Sequence, residues 1–77
     1  MVRAFIMIKT AAGKSAELQE QVRAMAAVID AHVVAGQYDI IAEVEGDEVY
    51  TVIQTVATEL HTLDGIVDTR TYVCLEE

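Results

Sequence analysis

The chain has 77 residues, of which 13 are acidic, 5 basic and 53% apolar, for a formal net charge of −8. That length holds one domain, and the scattered Arg3, Lys9, Lys14, Arg23 and Arg70 form no cationic patch of the kind that direct nucleic-acid binding needs. No apolar run approaches the ~18 residues of a membrane span, and the short apolar N-terminal stretch lacks the cleavage site of a signal peptide.

Val2 to Lys9 is bulky, β-branched and apolar on both parities, which predicts a strand with both faces covered. Thr10 to Gly13 is a connection with turn chemistry. From about Lys14 the period changes: Leu18, Val22, Met25, Ala26 and Ile29 form one apolar stripe on a helix, with Ser15 at its N-cap or in its first turn. Ala31 to Ala35 reads as a short strand. Gly36-Gln37-Tyr38-Asp39 is a corner in which glycine offers a permissive backbone and a close approach, and Asp39 offers a carboxylate to its own loop or to a cationic ligand group.

Beyond the corner, Tyr38, Ile40, Ala42 and Val44 alternate with Asp39, Ile41, Glu43 and Glu45, a strand of period two. Gly46-Asp47 ends it, with Asp47 as expected N-cap of the next helix. Val49, Val52, Ile53, Val56, Leu60 and Leu63 make that helix's buried stripe, and Leu63-Asp64-Gly65 closes it with Gly65 in the left-handed region. Ile66 to Leu75 is the last strand, and Glu76-Glu77 a charged end with no packing role.

The order β-α-β-β-α-β is that of the ferredoxin-like α+β plait, an antiparallel four-stranded sheet with both helices on one face. Such a sheet has a second, bare face. With Phe5 and Met7 on one parity and Ala4, Ile6 and Ile8 on the other, that face is expected to be covered by another copy in a symmetric sheet-to-sheet dimer.

No catalytic set emerges, so the chain is not expected to be an enzyme. His32 reads as an interface or core histidine, and His61 suits the C-terminal end of the second helix. Cys74 has no basic neighbour to lower its pKa and cannot form an internal disulfide, which points to a reducing cytoplasm. No Cys/His cluster has metal spacing and no glycine-rich phosphate loop exists, so neither metal nor cofactor is expected. The alternative is a small enzyme of the dimeric α+β barrel type, a monooxygenase or isomerase, with His32 and Tyr72 as its candidates between sheet and helices.

Gly36-x-Tyr38-Asp39 before an apolar strand, an acidic turn at Asp47, an apolar second helix and Leu63-x-Gly65-Ile66-Val67-x-Thr69-x-Thr71 together resemble the effector-binding half of the Lrp/AsnC transcription regulators, the RAM domain. The resemblance spans Met1 to about Glu76. It implies a homodimer joined through its sheets, assembly into octamers or similar rings, and an amino-acid effector held between dimers. The implied contacts are the corner Gly36, Gln37, Tyr38 and Asp39, the nearby Thr69 and Thr71, and Asp47. Full members begin with a helix-turn-helix domain, whereas Met1 here opens directly on the first strand. The expectation is therefore a stand-alone ligand-binding domain of residues 1–77, acting in transcription through partners such as full-length relatives, without direct DNA contact.

Overall fold

The computed structural model describes residues 2–75, and Thr55 without its side chain. Six elements follow in order: β1 (Val2–Thr10), α1 (Ser15–Arg23), β2 (Val28–Val33), β3 (Ile40–Gly46), α2 (Val49–His61) and β4 (Ile66–Val73). The strands form one antiparallel sheet in the order β2-β3-β1-β4. This is the expected ferredoxin-like plait. The expectation for Glu76 and Glu77 lies outside the described residues.

Alternation decides what each strand contributes. Ala4, Ile6 and Ile8 of β1 and Ile40, Ala42 and Val44 of β3 point one way and are fully buried. Leu18 and Val22 of α1 and Val52, Val56 and Leu60 of α2 close over them as one cluster. The opposite parity, Phe5 and Met7 of β1 and Ile41 of β3, is only half-buried, and Tyr72 of β4 is 55% exposed. One face of β1 is thus packed under helices and the other is open in the single chain.

Register fills in the open face. Phe5 opposes Tyr72 and Glu43, Met7 opposes Arg70 and Ile41, and Lys9 opposes Asp68. The apolar centre is rimmed by charge. Arg3 forks between Glu43 Oε2 at 3.2 Å and Glu45 Oε1 at 3.0 Å. The Glu45 hydrogen bond and the adjacent Glu43 hold its guanidinium above the ordinary arginine pKa. On β2, Asp30 meets Arg23 Nε at 3.2 Å and His32 Nε2 at 3.3 Å.

The Asp30 cluster carries a pH prediction. The Ala31 N–H, donating to Asp30 Oδ1 at 2.8 Å, with His32 and Arg23, holds this carboxyl below its ordinary value of 3.8. A depressed folded-state pKa adds stability that is fully present above the unfolded value and is lost as pH falls through the folded one. Denaturant midpoints measured from pH 5 downward are expected to fall less steeply below about pH 4 in Asp30→Asn than in the parent chain.

Four local expectations are corrected. The first helix stops at Arg23, with Ala24 as C-cap, rather than running to Ile29. Met25 and Val28 are turned by short backbone bonds, Met25 N–H to Val22 O and Val28 N–H to Met25 O, both at 3.1 Å. Val28 and Ile29 are β-branched and open β2, which leaves Ile29 about half exposed. The second strand accordingly runs from Val28 to Val33 instead of Ala31 to Ala35, and residues 34–39 form a six-residue loop. Asp47 is not the N-cap of α2. Glu48 holds that place in an extended conformation with no side-chain cap bond, and Asp47 lies one residue before it. Finally, Gly36 does not use a left-handed backbone. That conformation belongs to Gly13 and to Gly65, at φ +100°, as expected for the latter.

Candidate functional site

Residues 34–39 sit where β2 leaves the sheet and β3 enters it, beside the C-terminal end of β1 and the N-terminal end of β4. Backbone bonds pin the loop at its base. Val34 N–H donates to Asp39 O at 2.8 Å, and Asp39 N–H donates to Ile8 O at 2.9 Å.

The Asp39 side chain does something the sequence did not suggest. Its Oδ2 accepts the backbone N–H of Thr10 at 2.8 Å and the Thr10 hydroxyl at 3.3 Å. Thr10 is the buried polar residue of β1, two residues past Ile8–Ile40, the last β1–β3 pair, with its N–H on the side of β1 that faces β3. The carboxylate therefore satisfies a buried donor that lies beyond the end of the β1–β3 ladder. Asp39 ties the corner to the end of β1.

Tyr38 turns the other way, onto the open face. Its hydroxyl lies beside Arg70 and, with Asp68, keeps the guanidinium above the ordinary arginine pKa. Tyr38, Gln37, Lys9 and Asp68 enclose an open pocket of about 320 Å³. Gln37 is exposed at the loop tip.

Gly36 is exposed, and a Cβ built on it meets nothing within 4 Å. Neither backbone strain nor packing within the chain requires glycine there. Gly36→Ala is expected to leave unfolding free energy unchanged or raised by up to about 1 kcal/mol, read from chemical denaturation.

The remaining sequence-derived candidates divide. Thr69 opposes Ile8 from the side of β1 away from the corner, and Thr71 opposes Ile6, further along β4; both share the helix-side parity of those isoleucines. Asp47 follows β3 at the opposite end of the sheet, roughly 20 Å from the corner along a seven-residue strand. One chain does not bring it to the others. His32 and Tyr72 occupy the two edge strands, three inter-strand spacings or about 14 Å apart, and on the open face rather than between sheet and helices. They make no pair. Lys9, Asp68 and Arg70 were missed; their only signal in the sequence was a polar parity at the end of β1 and along β4. Among the described residues no group of three or more His, Cys, Asp or Glu could hold a metal ion, and no helix is long and apolar enough to cross a membrane.

A family model described as the Lrp/AsnC ligand binding domain matches residues 3–77. The chain belongs to that family. Among solved structures, this Lrp/AsnC domain is similar to the hypothetical protein PHS023 of Pyrococcus horikoshii, with 39% identity and a TM-score of 0.89 over 100% of this chain and 93% of that one. The protein TTHA0845 of Thermus thermophilus is 25% identical at a TM-score of 0.92, covering 100% and 96%. The transcriptional regulator NMB0573 of Neisseria meningitidis, solved as a complex with L-Met, shares the fold at 20% identity and a TM-score of 0.81; the match covers 99% of this chain and 51% of that protein. No curated protein gave a match.

Proposed function

We propose that this Lrp/AsnC domain is a sensing and assembly module. It binds an amino acid or a similar small metabolite at the Gly36–Asp39 corner, where dimers meet, and acts in transcriptional regulation through partner proteins, without touching DNA itself. The observation that carries this reading is the corner. Asp39 anchors it on Thr10 while Gly36 presents an uncovered backbone that the fold does not use, so another molecule can approach its N–H closely. Family membership supports a ligand there, as does the L-Met complex of the Neisseria regulator.

Assembly is supported by the open sheet face. Phe5, Met7, Ile41 and Tyr72 form its apolar centre, and the charges around them alternate in sign, as a self-complementary two-fold contact requires. Thr69 stands across β1 from the site, on β4, with Thr71 beyond it, and Asp47 joins only from a neighbouring copy. A net charge of −8 opposes contact with nucleic-acid phosphates. Ligand affinity that differs between assembly states would then shift the oligomer population.

The test is a thermal-shift panel of the twenty common amino acids, followed by oligomer mass with and without any that stabilise. At a hundredfold excess over Kd, a binder adds about 2.7 kcal/mol of stability. Gly36→Ala is expected to weaken that response while leaving the unliganded protein intact, because the new Cβ occupies the approach to the backbone. A panel in which no amino acid moves the melting temperature overturns the reading.

A further inference from the structure

We propose that the pocket between Lys9, Gln37, Tyr38 and Asp68 recognises the two charges of a free amino acid, Lys9 taking its α-carboxylate and Asp68 its α-ammonium. This rests on the sensing function above and replaces Asp39 with Asp68 as the ammonium acceptor.

Register carries the first part. Lys9 and Asp68 are direct partners across the β1–β4 ladder, on the open face. Side chains so placed start about 5 Å apart, and the flexible lysine stem lets its ammonium stand off from the carboxylate across a small ligand. The pairing register shifts immediately after Lys9, a bulge of the kind that re-aims side chains beside binding sites. The pocket's 320 Å³ lies at the small end of the roughly 300–1,000 Å³ of small-molecule sites.

Partner accounting carries the second. Asp39 Oδ2 is committed to Thr10, whereas Asp68 Oδ1 is oriented by the Thr69 N–H at 2.9 Å and its Oδ2 accepts no hydrogen bond among the described residues. Arg70 on β4 lies beside the Tyr38 hydroxyl at the pocket's loop wall. Gln37 and Tyr38 of the corner line the pocket, so its occupancy bears on the corner itself.

Charge selects the ligand class. The chain's field at −8 disfavours phosphorylated metabolites and dicarboxylates, while a zwitterion enters without net repulsion and meets one fixed charge of each sign. All four lining residues end in polar groups, so recognition falls on the ligand's charged head.

Titration calorimetry with the amino acid that gives the largest thermal shift tests this, using the full chain and the Lys9→Gln, Asp68→Asn and Asp39→Asn variants. Ethylamine and propionate, each alanine-like with one of the two charges, serve as further probes. Both pocket variants are expected to bind at least tenfold more weakly, Asp39→Asn within about threefold of the parent, and neither single-charge probe measurably. Lys9 and Asp68 are exposed, so circular dichroism is expected to report unchanged folds. Parent-like affinity in both pocket variants overturns the assignment while leaving the sensing function standing. If no amino acid binds the parent chain, the function and this site fall together.

Discussion

Gly46→Ala is expected to lower unfolding free energy by about 1–3 kcal/mol, which for a domain of this size is a fall in Tm of roughly 4–8 °C per kcal/mol. A Cβ at Gly46 collides with Val52 Cγ2, the side chain that seats the first turn of α2 against β3. Val52 is 3% exposed and belongs to the core, so it has little freedom to retreat. The backbone at Gly46 is not left-handed, and the cost is therefore one of contact. This makes the prediction specific. Val52→Ala by itself loses two methyl groups and costs roughly 2 kcal/mol in transfer and cavity terms. In the double variant the added Cβ fills the vacated space, so the combined cost should fall short of the sum by at least about 0.5 kcal/mol. Urea denaturation of the four proteins at one concentration measures this, since assembly would make stability depend on concentration. Strict additivity would mean that the strand–helix junction relaxes elsewhere.

Asp39→Ala carries the second large effect, a loss of about 2–3 kcal/mol, because it strands the buried Thr10 N–H without its charged acceptor. Asp39→Asn keeps an oxygen in place and should lose about 1 kcal/mol or less. Comparing the two variants separates the roles open to this carboxylate. If Asp39 holds the corner, amino-acid affinity follows stability: nearly intact in the asparagine variant, weak in the alanine one. If its charge meets a ligand ammonium, asparagine loses affinity while the fold stays firm. Denaturation and ligand titration on both variants decide between them.

The same carboxylate marks how far the sequence can be read. That Gly36 to Asp39 form a corner followed by a strand is legible in the turn residues and in the period-two run behind them. That Asp39 serves Thr10 is not, since Thr10 lies in another strand and its N–H reaches past the last β1–β3 pair, which only register decides. The glycines tell a similar story. Gly65 announces its left-handed role by following a helix, but Gly36 drew the attention that belonged to Gly46. Close approach of a side chain from the next element leaves no trace in local sequence. The end of α1 failed for a different reason. Ile29 stands four residues after Met25, a helical spacing that arose by coincidence at a strand entry, and β-branching at Val28 and Ile29 was the stronger signal.

Order of elements, the parity of each strand and the buried stripe of each helix were set by local periodicity, because burial on one side repeats with the backbone's own geometry. From them follow the plait, the family and an uncovered sheet face. Which side chains meet was decided only in three dimensions. Lys9 beside Asp68, Asp39 beneath Thr10 and Asp47 far from the corner are consequences of strand register, and register is settled by the packing of the whole sheet against its helices.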